Sequence, residues 1–350
     1  MAEVTFKCPS CGSYLNFDPA TQKWKCPYCD SVFDEKELLP KDAAMQESAK
    51  KEKPEKSADG SQVVYHCSNC GSEIMTDETT VATECYYCHS PVVLQGKLTA
   101  DMRPDQVVPF TVDKEKAVDQ FMTWVKGKKY VPNDFFKRNA VETMYGVYYP
   151  HFVSDCDMNA ALEGEGRNVS VINEPQYVTT VTKHFHVRRA GRLHFEDVMR
   201  PALPKANKKI TDGIHPFPLN QAKPFAGAYL TGFLAERRDI DKTSIRSDIE
   251  GELQQYVKPL LSDTVHYDSE SLSADGRMTH IETDYVMLPT WVLTYPNKEN
   301  PDDPYYYAMN GCTGKVCGKL PIDKGKLWRT GILWGIAVFA LGLIGSYFLW

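Results

Sequence analysis

The stretch CPSCGSYLNFDPATQKWKCPYC, residues 8–29, sets two Cys-x2-Cys pairs fourteen residues apart, and CSNCGSEIMTDETTVATECYYC, residues 67–88, repeats that spacing with little else in common. Cys-x2-Cys puts two sulfurs at the tip of one tight turn. Two such turns supply four thiolates, the donor set of a closed tetrahedral zinc site. The residue after each second cysteine must tolerate positive φ, and Gly12, Asp30, Gly71 and His89 stand there. The sequence predicts two zinc ribbons with one ion each. Cys8, Cys11, Cys26 and Cys29 form the first site, and Cys67, Cys70, Cys85 and Cys88 the second. Disulfides and rubredoxin-like iron are the rivals. The N-terminal MAEVTFKCPS has no apolar run of the kind an export signal carries, and a reducing compartment favours metal over disulfide. The two halves of a rubredoxin-like site usually lie further apart in sequence.

Each ribbon is too small for a core of its own. The first has Tyr14, Phe17, Trp24 and Phe33, expected to form a miniature core around the metal rather than a base-stacking surface. Metal binding is then expected to supply most of its folding free energy, on the order of 10 kcal/mol. Residues 40–62, PKDAAMQESAKKEKPEKSADGSQ, are rich in Lys, Glu, Ala and Ser and nearly devoid of apolar side chains, the composition of a flexible linker. The expected organisation is ribbon 1 at 1–39, linker at 40–62, ribbon 2 at 63–100, an α+β body at 101–322 and a transmembrane helix at 327–350. The two ribbons would move independently as a tandem head, raising the local concentration of a shared partner.

The 350-residue chain carries a net charge of −6 and a hydrophobic fraction of 42%, ordinary for a globular protein. Residues 330–350, TGILWGIAVFALGLIGSYFLW, hold no charge and would span roughly 30 Å as a helix, the thickness of a bilayer core. Trp328 and Trp334 near one end, with Tyr347 and Trp350 near the other, suit the two interfaces. Lys319, Lys324, Lys326 and Arg329 precede the span against one acid, Asp323, so the charge bias puts the N-terminal part in the cytoplasm of a single-pass membrane protein. Gly331-x3-Gly335 offers a small-residue face for homo- or hetero-oligomers through the helix.

In the body, 113–128 and 244–261 have helical apolar spacing, the second with Ile245, Ile249, Leu253 and Val257 on one face. Residues 145–162 and 168–195 read as strands. Two similar modules are suggested, each with a Pro-Phe entry, a helix, and a strand carrying x-Pro-x-aromatic; the prolines there imply a bend or an edge strand. GCTGKVCGK, residues 311–319, has the wrong glycine spacing for a phosphate loop and is expected to be a turn between strands. His184, His186, His194 and Glu196 could share a metal, although a polar strand face explains them as well. Cys156, Cys312 and Cys317 read as ordinary thiols, and no catalytic constellation emerges.

LPTWVLTY (288–295) and YYYAMNGCTGKVCGKLPI (305–322), behind two ribbons and ahead of a span, resemble a bacterial family of membrane-anchored proteins. Its zinc ribbons are similar to that of general transcription factor IIB, and its members are often labelled primosomal helicase-like. The resemblance covers most of the chain and implies a membrane-associated scaffold in envelope stress or membrane organisation, with flotillin-like or phage-shock-protein-A-like partners. It transfers no catalytic residue, and without an ATP-binding loop a helicase is excluded.

Charge separates the function classes. Ribbon 1 sets Lys7, Lys23, Lys25 and Lys36 against Glu3, Asp18, Asp30, Asp34, Glu35 and Glu37; ribbon 2 sets Lys97 against Glu73, Asp77, Glu78 and Glu84. Nucleic-acid affinity needs clustered Lys and Arg. The leading expectation is therefore a non-enzymatic adaptor at the bilayer whose ribbons and body bind protein. A tethered nucleic-acid-binding protein, favoured by Lys23-Trp24-Lys25, is the alternative, and an enzymatic body is the third reading.

Overall fold

The computed structural model describes residues 6–42, 55–56, 62–66, 73–77, 79–84, 91–93, 102–132, 144–204, 208–295 and 305–348. In chain order the elements are β1 (Asn16–Asp18), β2 (Lys23–Lys25), β3 (Val32–Phe33), α1 (Glu35–Asp42), β4 (Glu55–Lys56), β5 (Gln62–His66), β6 (Glu73–Asp77), β7 (Thr80–Glu84), β8 (Pro91–Val93), β9 (Gln106–Val107), α2 (Lys114–Lys126), β10 (Tyr145–Asn173), β11 (Val178–Pro201), α3 (Lys208–Ile214), β12 (Lys223–Pro224), β13 (Leu234–Glu236), α4 (Ile245–Ser262), β14 (Ser269–Tyr295), β15 (Tyr305–Asn310), β16 (Val316–Lys319) and α5 (Lys324–Phe348). Helices and sheet mix as the α+β reading expects.

α2 and α4 form where the apolar spacing puts them. Asp113 caps α2 by accepting the Lys116 N–H at 2.8 Å, and the helix buries Ala117, Phe121 and Val125. Phe121 meets Tyr307 of β15 edge-on at 4.6 Å. α4 buries Ile245, Ile249, Leu253 and Val257, the four positions assigned from sequence, against β10 and β14.

Two long strands form the spine. β10 and β14 pair antiparallel from Tyr145↔Val292 to Arg167↔Ser269. On its other edge β10 carries first β13, parallel at Val147↔Leu234, and then β11, antiparallel from His151↔Pro201 outward. On its other edge β14 carries first β9, parallel at Val286↔Gln106, and then β15, antiparallel from Thr290↔Asn310. Pro150 and Pro289 therefore lie inside central strands, which corrects the expected bend or edge position. Each falls where the outer neighbour changes, so the N–H that proline lacks has no ladder bond to lose. Their carbonyls remain engaged: Pro150 O accepts from Ala202 N, and Pro289 O from Gly311 N, both at 2.9 Å.

From Phe152 to Leu162 the even-numbered residues of β10 are buried, while its opposite face is largely exposed. Among the described residues, that other face is covered only near the strand root. There Ile214 and Phe217 pack with Val286 and Leu288 beside the buried His151. Beyond Arg167↔Ser269 the sheet continues as β10 and β11 alone, through Asn173↔Val178 to a turn closed by Glu174 N–H to Tyr177 O at 2.9 Å. At about 3.3 Å per residue, β10 from 151 to 173 runs roughly 75 Å. Strand type was legible in the sequence; this length was not.

The N-terminal segments are tied to the body. β1, β2 and β3 form a small antiparallel sheet, and its buried residues are continuous with the main core. β7, from the segment expected to be ribbon 2, pairs with β13 at Ala82↔Ala235, and Val81 and Ala82 are buried. The expected independence of the two heads is thus corrected: both attach to the 226–236 segment. At the two ends of the proposed linker, α1 runs to Asp42 and β4 pairs with β5. Residues 311–315 of GCTGKVCGK are the turn joining β15 to β16, with Gly314 at φ +73°.

Among the described residues, one helix is long and apolar enough to cross a membrane. It is α5, whose candidate span Lys324–Leu343 has mean hydropathy 1.3 and no buried part. Asp323 caps it, its Oδ1 accepting from Lys326 N at 3.0 Å.

Candidate metal centre

The first set of four cysteines converges. The sulfurs of Cys8, Cys11, Cys26 and Cys29 all lie within 4.8 Å of one another, with Cys8–Cys29 and Cys11–Cys26 each at 3.5 Å. A tetrahedron with metal–sulfur bonds of about 2.3 Å has edges of about 3.8 Å, so four thiolates at this spacing fit a zinc-sized ion. Any ion held here would be cross-linked to two turns that share one backbone design. In the first, Cys8 N donates to Ser13 O at 2.7 Å and Gly12 N to Cys8 O at 2.8 Å. In the second, Cys26 N donates to Ser31 O at 2.8 Å and Asp30 N to Cys26 O at 3.0 Å. Gly12 at φ +78° and Asp30 at φ +56° supply the left-handed residue each turn requires.

The four sulfurs are electrostatically unequal. Burial opposes ionisation of Cys26. The Ser13 hydroxyl and the backbone N–H groups of Cys29 and Tyr28 outweigh it and bring the thiol down to about 6. At Cys8 burial prevails and pushes the thiol up to about 11. Cys11 is lowered by the Ser13 hydroxyl and backbone. Ser13 Oγ lies 3.1 Å from both Cys11 Sγ and Cys26 Sγ, and Ser31 Oγ lies 3.2 Å from Cys29 Sγ. A hydroxyl donating to a thiolate stabilises the charge that metal binding requires.

Phe6, Phe17 and Trp24 of this ribbon face the body. Trp24 is 2% and Phe17 4% exposed. Trp24 Nε1 donates to Ala228 O at 3.0 Å, and Phe17 N to Thr231 O at 3.1 Å. Both rings pack on Tyr229 at 5.3 Å, and Phe6 closes on Trp24 at 5.1 Å. Gln22 reaches Phe110 O at 2.7 Å. Gly232, at φ +88°, lets the chain pass against Asn16, whose Cβ would stand 3.3 Å from a side chain there. The miniature core expected from sequence is therefore continuous with the main core through Phe17 and Trp24, while Tyr28 of the same ribbon stays 63% exposed.

No family model and no solved structure matches the chain. The uncharacterized protein YdjG of Bacillus subtilis (strain 168) is 30% identical over 339 residues, 95% of this chain and 95% of its own. The chain belongs to the YdjG family. The alignment spans nearly all of both proteins rather than a single module.

In this member of the YdjG family, Cys67, Cys70, Cys85 and Cys88 lie outside the described residues. The serines were overlooked in the sequence although the signal was present. All four turns read Cys-x2-Cys-x-Ser, with Ser13, Ser31, Ser72 and Ser90 in the last place. The histidines do not converge. His184 and His186 pair with Arg167 and Glu165, whereas His194 lies opposite Asp157, roughly 26 Å along the strand from His186. His194 bonds Asp157 at 2.9 Å, which raises its pKa. Cys312 is pushed up to about 12 by burial, and burial also raises Cys156. Neither is poised as a nucleophile.

Proposed function

We propose that this protein is a non-enzymatic adaptor, anchored by α5 with its body in the cytoplasm, that uses zinc to hold its N-terminal ribbons on the body and presents the β10–β11 hairpin to a protein partner. The observation that carries the reading is the hairpin tip. Val169, Val171, Ile172, Tyr177 and Val178 are exposed there on strands that β14 no longer flanks. Large apolar side chains left in water on free strand edges are the features of a β-pairing surface. β11 from 178 to 195 carries Lys183, Arg188, Arg189 and Arg192 and no acid, so the partner's segment is extended, apolar and acidic. The resemblance makes flotillin-like or phage-shock-protein-A-like proteins the first candidates.

Zinc in Cys8, Cys11, Cys26 and Cys29 is structural in this reading, and a second zinc occupies Cys67, Cys70, Cys85 and Cys88. The cytoplasmic orientation is supported by Lys319, Lys324, Lys326 and Arg329 ahead of the span. The reading also takes the body as two copies of one unit, β9-α2-β10-β11 and β13-α4-β14-β15. Three observations support this. VYYPHF at 147–152 parallels VMLPTW at 286–291. β13 lies on β10 at Val147 as β9 lies on β14 at Val286. Each proline marks the same hand-over of neighbours.

The basic strand also favours a second reading, nucleic-acid binding. Arg188 and Arg192 are already paired with Glu163 and Asp157, which weighs against it. A photo-crosslinker placed at Val171 or Tyr177 in native membranes tests both. A discrete protein adduct is expected. Absence of such an adduct together with salt-sensitive binding of DNA or RNA would replace the adaptor reading with the second one. Protease protection of the hairpin in right-side-out vesicles tests the orientation.

A further inference from the structure

We propose that the end of α2 and the base of α5 together form a collar that binds the anionic phospholipid headgroups of the bilayer carrying α5; the inference rests on the membrane-anchor reading above. The fold joins two segments nearly 200 residues apart. Asp323 N donates to Tyr130 O at 2.7 Å, and Lys326 Nζ donates to Val131 O at 2.7 Å, so the loop after α2 is fastened to the first turn of α5. Lys126 at the end of α2 and Lys128 and Lys129 in that loop are all exposed. The end of β16 adds the exposed Lys319, and the base of α5 adds Lys324 and Arg329.

Two further features fix the class of ligand. The first is charge. Residues 121–132 hold no acid, and Asp323 is the one acid from 312 to 350. One of its carboxylate oxygens is engaged with the α5 backbone. The collar is therefore strongly cationic within a protein of net charge −6. The second is amphipathicity. Ile322, Leu327 and Trp328 are exposed among the basic residues, with Trp328 at 73%. Interleaved Trp, aliphatic and basic side chains at the mouth of an apolar helix suit the headgroup layer, where basic residues gain from the anionic surface potential and indole from the interface. A soluble phosphate ligand would leave the apolar members without a role. The body lysines matter because they are held by hydrogen bonds to the anchor. Lipid binding would then fix how the body stands on the membrane, and with it where the hairpin points.

The test uses the full chain in nanodiscs of phosphatidylcholine alone, or with roughly one lipid in three replaced by phosphatidylglycerol. Hydrogen exchange at 126–132 is expected to slow in the anionic discs. The slowing should vanish at 1 M salt, where the Debye length is about 3 Å. Replacing Lys126→Gln, Lys128→Gln and Lys129→Gln together should cut the anionic preference about ten-fold or more while incorporation into discs is unchanged. Equal exchange in both kinds of disc would overturn the proposal and leave the anchor intact. A chain that stays out of both discs, soluble without detergent, would overturn the anchor reading itself, and this proposal with it.

Discussion

Ribbon 1 and the tip of the β10–β11 hairpin are both small, antiparallel and too slight to fold by their own burial, yet they end in opposite conditions. The ribbon buries Phe6, Phe17 and Trp24 in the body and adds four converging sulfurs. The tip leaves Val169, Val171, Ile172, Tyr177 and Val178 in water, held by cross-strand bonds and, at its base, by the Val169 N–H donated to Asp268 Oδ2 at 2.7 Å. The contrast shows which end is packed on the body and which is left in water. Cysteine pairs and aromatic rings suggest a binding head when read alone, but here their contacts are used within the chain. The strand with the plainer sequence is the one whose apolar side chains stay exposed.

The strongest way to break that contrast is to remove the ion site. Structural zinc contributes on the order of 10 kcal/mol to small zinc-finger peptides. Cys26→Ser should therefore cost one zinc per chain by elemental analysis and destabilise the ribbon by several kcal/mol. Limited proteolysis should then cut within 6–34 while the body survives. If the variant keeps its zinc content and its protease resistance, the site is not structural.

The next largest effect isolates docking from metal. Trp24→Ala leaves all four cysteines and removes the indole that bonds Ala228 O. Loss of a buried Trp costs about 3–5 kcal/mol. Zinc content should stay unchanged, while hydrogen exchange at 226–233 accelerates. Unchanged exchange there would mean that the ribbon holds its place without this contact.

How far these two regions were legible in sequence depends on the reach of the forces involved. Metal geometry is local, so the spacing of Cys8, Cys11, Cys26 and Cys29 was sufficient. The buried face of α4 was also legible, because Ile245, Ile249, Leu253 and Val257 recur at the helical period. The docking of Trp24 was not, since its acceptor is 204 positions away and an indole reads as buried in either arrangement. Pro150 misled for a similar reason: the change of neighbour that accommodates it involves β13 and β11, which are remote in sequence. The tip escaped notice because NVSVINEPQYVTTVTK, residues 168–183, places Val, Ile and Thr on both faces. Without a polar–apolar alternation the pattern does not say where burial stops.

The root of the hairpin sharpens the contrast with its own tip. His151, one pair outward of Pro150, is 1% exposed, and burial brings its pKa down to about 4, helped by His215 and opposed by the carbonyl of Tyr149. Above pH 6.5 the imidazole is neutral in folded and unfolded chains alike and pH has no effect through it. As pH falls from 6.5 towards 4, the unfolded chain takes up a proton that the folded one refuses. Stability therefore drops by about 1.4 kcal/mol per pH unit, or about 2 kcal/mol by pH 5. Below about pH 4 the folded state protonates as well and the loss stops growing. Denaturant titration of the full chain in detergent at pH 7 and pH 5 checks this against His151→Gln. The wild type should lose about 2 kcal/mol more than the variant between the two. Equal losses would mean that the root admits a charged imidazole and is as open as the tip.

The smallest effect on stability is expected at the tip itself, and there the smallness is the point. Ile172→Thr with Val178→Thr keeps β-branched residues in the strands and removes two apolar side chains that already face water. Exposed substitutions of this kind stay within about 0.5 kcal/mol. The same pair should nevertheless abolish the protein crosslink from Val171, because apolar anchors near the centre of a contact carry most of its binding energy. A measured loss of about 2 kcal/mol or more would show that the tip is already covered by something in the folded molecule, and the difference between the two regions would collapse. Unchanged stability with an unchanged crosslink would move the partner's contact from the apolar tip to the basic stretch of β11.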